Sequence, residues 1–112
     1  MPLGMFVSAA RLMWHLSYCP EVEDDVFDTV TWYDDKGPGL GNDFMYEYLA
    51  AIQRIRDNPL LFCVAANGLR PCRLKRFSCI IHFDVDASDV LVVALMGGGR
   101  DDSAFIHRTS LQ

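Results

Sequence analysis

The front of the chain carries its hydrophobic residues first at strand spacing and then at helical spacing. Residues 13–19, MWHLSYC, alternate loosely between apolar and polar side chains, which is typical of a β-strand. After Pro20, apolar residues recur every three or four positions, at Val22, Val26, Val30 and Tyr33. Acidic residues fill the first turn of this segment, where the helix dipole favours negative charge. The pattern therefore predicts one strand followed by one helix.

A glycine-rich segment, KGPGLG at residues 36–41, separates this helix from a second one. A phosphate-binding loop has to follow a strand and open a helix, whereas this segment follows a helix. It also has no GxGxxG pattern, and no Lys-Ser or Lys-Thr pair follows it. The glycines therefore indicate a turn between two antiparallel helices. We expect Gly37 to adopt the left-handed conformation at the end of the first helix, and Gly41 to let the second begin close by.

The second helix is predicted from residue 42 to Asn58-Pro59, with Asn42 or Asp43 as its N-terminal cap. Its apolar residues share one face, which is expected to lie in the core; they are Phe44, Tyr48, Ala51, Ile52 and Ile55.

The second half of the chain changes to strand periodicity. The segments LRPCRLKRF and CIIHFDV are β-prone, DASD makes a turn, and VLVVALM at residues 90–96 is a continuous apolar run typical of a central strand. After residues 97–102, SAFIHR adds a further short edge strand or turn. The predicted order is β-α-α-β-β-β. The fold class is α+β, with a two-helix hairpin packed on a twisted, mainly antiparallel β-sheet.

The amino-acid composition disfavours several functional classes for this protein. The chain has 112 residues and a net charge of −5, which disfavours a generic nucleic-acid binder. Four cysteines without CxxC spacing, and three histidines that complete no zinc pattern, predict reduced, mostly buried thiols and no metal site. The sequence has no membrane-spanning apolar run and no signal-peptide pattern. We therefore expect a cytoplasmic protein of one domain, without a cofactor.

Basic residues cluster at the start of the second half, at Arg70, Arg73, Lys75 and Arg76. On a single strand, alternation would place Arg70 and Arg76 on one face and Arg73 and Lys75 on the other. Two interpretations remain open: solvated charges that protect a strand edge, and a site for an anion or a partner. The GGGR segment, residues 97–100, has the same two interpretations, a plain loop or an anion site.

Together these segments resemble the RelE/ParE family of toxins from bacterial toxin–antitoxin modules. The shared positions, in order, are Trp32-Tyr33, Gly39-Leu40-Gly41, Phe44, Asn58-Pro59, Arg76-Phe77, Arg100-Asp101 and Arg108. The resemblance covers residues 13–108 and implies the same hairpin-on-sheet fold. It makes residues 1–12 an N-terminal extension and residues 13–112 a single toxin domain. It also suggests Met13 as the biological start.

The family contains two activities, and the motifs of this chain favour one of them. The RelE branch cuts mRNA on the ribosome with basic side chains, whereas the ParE branch inhibits DNA gyrase. Where RelE-type members carry a strand arginine, this chain has Ile80, and the C-terminal aromatic residue is Phe105, which has no hydroxyl. The ParE-like pattern His-Gly-Arg-Arg-Asp-Pro is only partly kept, as GGGRDD. The resemblance favours a ParE-like toxin that acts by protein binding.

The resemblance implies a cognate antitoxin as partner, and DNA gyrase as a possible target in place of the ribosome and mRNA. The residues expected to bind are Trp32, Tyr46, Tyr48, Arg70, Arg73, Lys75, Arg76, Arg100 and Arg108. One alternative is a ribosome-dependent endoribonuclease, with Arg73, Lys75, Arg100 and His107 as its catalytic residues. The other is an inactive remnant that only binds antitoxin.

Overall fold

The computed structural model describes residues 14–97, which form two helices and a four-stranded sheet. The elements in chain order are β1 (His15–Tyr18), α1 (Glu21–Lys36), α2 (Leu40–Asp57), a 3-10 turn (Pro59–Leu61), β2 (Arg70–Arg73), β3 (Cys79–Asp86) and β4 (Asp89–Gly97). The expected order β-α-α-β-β-β is therefore confirmed. The proposed N-terminal extension and the segment SAFIHR lie outside the described residues.

The sheet has the strand order β1-β4-β3-β2, with β4 and β3 at its centre. Neighbouring strands are antiparallel, except that β1 runs parallel to β4 with Tyr18 opposite Val92. The two central strands form a hairpin that turns at Ala87 and Ser88, where the sequence predicted a turn. The α+β class with a helix hairpin on a mainly antiparallel sheet is confirmed.

The core lies between the helix hairpin and one face of the sheet. All five apolar residues predicted on one face of the second helix are buried, from Phe44 to Ile55. Tyr33 of α1 stacks on Phe44 at 5.7 Å between ring centroids, and Phe77 meets both rings edge-on at 4.7 and 5.6 Å. Such aromatic contacts add to the burial of apolar area and hold the hairpin against the β2–β3 connection.

The turn between the helices differs from the expectation in two details. Gly37 ends α1 as its C-cap residue, as expected, but it is extended (φ −177°) and not left-handed; Gly39 is the left-handed residue (φ 83°). α2 begins at Leu40 with Gly39 before it, so neither Asn42 nor Asp43 caps the helix. Instead, Asp34 of α1 accepts a hydrogen bond from the Gly41 N–H at 2.8 Å. The first helix thus supplies the acceptor that the second helix lacks locally.

The sequence predicted that the basic cluster lies on one strand, and this prediction is wrong. β2 ends at Arg73, and a bend follows because Leu74 and Phe77 turn inward and are buried. The Leu74 N–H donates to the carbonyl of Cys79 at 3.0 Å and closes the bend. Lys75 and Arg76 lie on this bend, so strand alternation does not decide where they point.

No helix among residues 14–97 is long and apolar enough to cross a membrane. The four cysteines all lie among residues 14–97 and form no disulfide bond; Cys19, Cys72 and Cys79 are buried, and Cys63 is exposed. The prediction that most of the cysteines are buried is therefore confirmed.

Candidate protein-binding site

Large apolar side chains are exposed on the helix hairpin and beside it. Phe27 of α1 is 68% exposed and Tyr46 of α2 is 78% exposed, and Trp32, Leu49 and Tyr18 also face solvent in large part. Single exposed apolar residues are ordinary, but a group on one pair of helices is typical of a surface that binds another protein. Trp32 and Tyr46, two of the aromatic residues singled out from the sequence, belong to this group.

A groove of about 590 Å³ opens between α1, α2 and the end of β1. We name it the apolar groove, because its wall is mainly hydrophobic. It is lined by Tyr18, Cys19, Pro20, Val22, Glu23, Val26, Phe27, Val30, Met45 and Tyr48. Helical spacing explains its α1 wall: Val22, Val26 and Val30 follow one another along a single side of the helix. The groove can accept apolar side chains of a partner.

Tyr48 belongs to the floor of the apolar groove and not to the exposed surface. Its side chain is only 7% exposed, whereas Tyr46, two positions earlier, points outward. Burial raises the pKa of the Tyr48 hydroxyl to about 12, and the nearby Tyr18 and Asp25 add to this shift. The sequence expected both tyrosines to bind a partner, but the helical period had already placed Tyr48, and not Tyr46, on the core face. Tyr48 therefore acts mainly as a core residue.

A second groove, of about 440 Å³, lies on the other flank of α1, beside the end of the β3–β4 pair. We name it the acidic groove, after the two carboxylates in its wall. It is lined by Asp25, Asp28, Thr29, Trp32, Tyr33, Ser78, Cys79, Leu95 and Gly97. The sequence did not reveal this groove, because one wall comes from residues 25–33 and the other from residues 78–97, far apart in the chain. Its signal was the spacing of Asp25, Asp28 and Trp32 along one flank of a helix.

Two contacts set the geometry of the acidic groove. One carboxylate oxygen of Asp25 accepts a hydrogen bond from the Leu95 N–H at 3.2 Å, which ties α1 to β4. The Tyr33 hydroxyl lies 3.9 Å from the Cys79 sulfur, and burial raises the pKa of that hydroxyl. Above these residues, the Lys36 ammonium lies 4.7 Å from the centroid of the Trp32 ring. The ring therefore already attracts one cation at the end of α1.

Two arginines of the basic cluster, Arg70 and Arg76, contact different parts of the structure. Arg70 donates a hydrogen bond to the carbonyl of Phe62 and so holds the loop before β2. The backbone N–H of Arg76 donates to Glu47 at 2.9 Å, and its guanidinium lies 3.7 Å from the Asp43 carboxylate. Both arginines therefore have structural partners.

Arg73 and Lys75 are exposed, and a third basic residue lies beside them. Arg54 of α2 donates a hydrogen bond to the carbonyl of Arg73 at 3.2 Å. The sequence did not connect Arg54 with this cluster, because 19 positions separate the two arginines. Arg100, His107 and Arg108 lie outside the described residues. Of the four residues expected in a nuclease site, the structure therefore places only Arg73 and Lys75.

This chain matches known proteins in its three-dimensional structure and not in its sequence. No protein-family model matches the chain, and no curated protein matches it. Among solved structures, it is similar to a chain of the chromosomal ParDE TA system from P. aeruginosa, with a TM-score of 0.66 and 13% sequence identity. The match covers 76% of this chain and 96% of that chain. This chain therefore shares the fold of that ParDE chain over nearly the whole length of that chain, although the two sequences differ at most positions.

Proposed function

We propose that this chain is the toxin component of a toxin–antitoxin module, that it acts by binding another protein, and that a cognate antitoxin neutralises it. The observation that carries the proposal is the fold shared with a chain of the ParDE system over 96% of that chain. The sequence motifs that resemble the RelE/ParE family support the same conclusion independently.

The exposed surface of the hairpin suits a protein partner. Phe27 and Tyr46 are aromatic anchors that extend into solvent, and the apolar groove lies close by to receive side chains from a partner. Aromatic residues around a pocket are the usual centres of binding energy in protein interfaces. An antitoxin segment that folds on binding can cover such a surface.

For the cellular target, we favour DNA gyrase, as in the ParE branch. The net charge of −5 opposes association with RNA, whose phosphates require positive charge. This charge supports protein binding over mRNA cleavage.

The antitoxin is tested by co-expression with the product of the neighbouring reading frame. We expect the chain alone to arrest growth and the two proteins to co-purify. Phe27→Glu should weaken the complex about tenfold or more, because it places a charge in an apolar contact. Leu61→Glu is the matched control, since Leu61 is exposed on the 3-10 turn outside the hairpin. A complex equally tolerant of both changes would refute the hairpin as the binding surface.

The target is tested with purified, antitoxin-free protein. Inhibition of gyrase supercoiling supports the ParE-like activity, and its absence contradicts that activity. Codon-specific mRNA cuts in a translation assay that disappear in Arg73→Ala would instead establish the endoribonuclease. Co-purification with an antitoxin but no growth arrest would establish an inactive, antitoxin-binding remnant.

A further inference from the structure

We propose that the acidic groove receives a guanidinium or ammonium side chain from the partner segment that packs along α1. The identity of that partner rests on the proposed function, whereas the cation site itself does not. The antitoxin would then be anchored by a positive side chain, and not only through contacts with the basic residues of this chain.

The charge of α1 is the first argument. The helix carries seven acidic residues and a single basic one, Lys36; the acidic residues are Glu21, Glu23, Asp24, Asp25, Asp28, Asp34 and Asp35. A partner that covers this helix removes water from several carboxylates. Burying a carboxylate without a compensating group is costly, so the partner has to supply positive charge.

The geometry of the groove is the second argument. Asp28 and Trp32 are four positions apart and therefore neighbours on one flank of the helix, where Asp25 lies one turn before Asp28. This arrangement offers a cation the Asp28 carboxylate and the Trp32 ring, and it places the Asp25 carboxylate, which also accepts the Leu95 N–H, beside them. The ammonium of Lys36 lies 4.7 Å from the Trp32 ring centroid, a distance at which an aromatic ring stabilises positive charge. A volume of about 440 Å³ accommodates an arginine or lysine side chain.

The position of the groove is the third argument. α1 forms a ridge between the apolar groove on one flank, with Phe27 and Val30, and the acidic groove on the other, with Asp28 and Trp32. A segment that crosses this ridge places apolar side chains in the first groove and a basic side chain in the second. The two grooves therefore select a partner with both kinds of side chain close together in its sequence.

The cation site is tested without a partner, by NMR titration of the full-length, ¹⁵N-labelled protein with ethylguanidinium chloride at constant ionic strength. We expect the Trp32 indole N–H and the amides of Leu95 and Gly97 to shift. Asp28→Lys should weaken binding about fivefold to tenfold, since it reverses one charge of the site. Asp86→Lys, the same change at the far end of β3, should leave it unchanged. No shifts at these groups, or equal binding by both variants, would overturn the proposal.

A second titration distinguishes the partner from the chain's own arginine. Gly97 lines the groove, and Arg100 follows three positions later, outside the described residues. In full-length Arg100→Gln, we expect ethylguanidinium to bind as it does in the parent protein. Clearly tighter binding would identify Arg100 as the competing occupant and overturn the proposal.

The partner is then tested with the product of the neighbouring reading frame. Asp28→Lys should weaken the complex about fivefold to tenfold and flatten its dependence on salt, while Asp86→Lys should do neither. A complex that forms equally well with Asp28→Lys contradicts the proposed docking. If no complex forms with the parent protein, the proposed function fails, and the ethylguanidinium result still decides the cation site.

Discussion

Gly41 is a position where one missing methyl group allows two helices to share a hydrogen bond. A Cβ at this position would lie 2.6 Å from a carboxylate oxygen of Asp34, the same oxygen that accepts the Gly41 N–H. Gly39, two residues earlier, is needed for another reason: its φ of 83° is strained for any residue with a side chain, although space around it is open. Two glycines of one turn therefore have separate physical roles.

The role of Gly41 predicts a coupled pair of mutations. Gly41→Ala displaces Asp34 and breaks the hydrogen bond, but alanine favours the helix, so unfolding free energy should fall by only up to about 1 kcal/mol. In an Asp34→Ala background the clash is gone, and Gly41→Ala should instead raise the unfolding free energy by about 0.5 kcal/mol. Urea unfolding of the four variants measures this change of sign.

Gly39→Ala is the control for that pair. It should cost about 1–2 kcal/mol in either background, because the strain lies in the backbone and not in contact with Asp34. Equal effects of Gly41→Ala with and without Asp34 would contradict the proposed role of Gly41.

Tyr48 predicts a loss of stability at alkaline pH. Its folded-state pKa of about 12 lies above the ordinary value of 10.0, so the folded protein favours the neutral phenol. The corresponding stabilisation is complete below pH 10 and is lost as the pH rises from about 10 through about 12. Tyr48→Phe has no proton to lose and should show a smaller decrease in urea midpoint between pH 8 and pH 11. Tyr46→Phe, at an exposed site, should behave like the parent protein.

At the scale of elements, the β3–β4 hairpin contains a local strain that the sequence did not reveal. Asp86 and Asp89 pair across a two-residue turn, in which Ala87 has a φ of 55°. Alanine is poorly suited to this left-handed conformation, whereas glycine adopts it readily. The pairing of the two central strands is strong enough to hold Ala87 in this conformation.

This strain predicts that Ala87→Gly stabilises the protein. Relief of the left-handed conformation should exceed the added entropy of the unfolded chain, with a gain of up to about 1 kcal/mol. The measurement is the thermal midpoint, compared with Ser88→Gly, which gains no such relief because Ser88 does not have a positive φ. A midpoint raised equally in both variants, or in neither, would show that Ala87 is not strained.

At the scale of the whole molecule, the packing of the hairpin on the sheet protects most of the cysteines. Cys19, Cys72 and Cys79 lie on three different elements or connections and are all buried in one core, whereas Cys63 is exposed. Burial also raises the pKa of the Cys72 thiol and thereby lowers its thiolate fraction. The reactivity of these thiols therefore reports on the integrity of the core.

We expect one thiol of the native protein to react rapidly with a disulfide reagent, and four to react in denaturant. The three buried thiols should react only as fast as the core opens, and ligand or antitoxin binding should slow them further. Cys63→Ser should remove the rapid phase and leave the slow one. Rapid reaction of more than one thiol would contradict the described packing.

Periodicity along the chain was sufficient for the elements and the fold class. The five buried apolar residues of α2 from Phe44 to Ile55, the continuous apolar run of β4 and the helix hairpin around the glycines were all predicted from local spacing. Local spacing failed where a distant contact decided the outcome. β2 ends early because Leu74 and Phe77 join the core, and Asp34 replaces the local cap that α2 lacks.

The sequence by itself determined the helix hairpin and the strands of the sheet, because hydrophobic period and turn residues act locally. Only the tertiary structure decided which surfaces are available for binding. It engaged Arg70 and Arg76 in structural contacts, and it joined α1 to the ends of β3 and β4 in the acidic groove. The physical reason is that exposure and charge pairing depend on residues far apart in the chain, which only packing brings together.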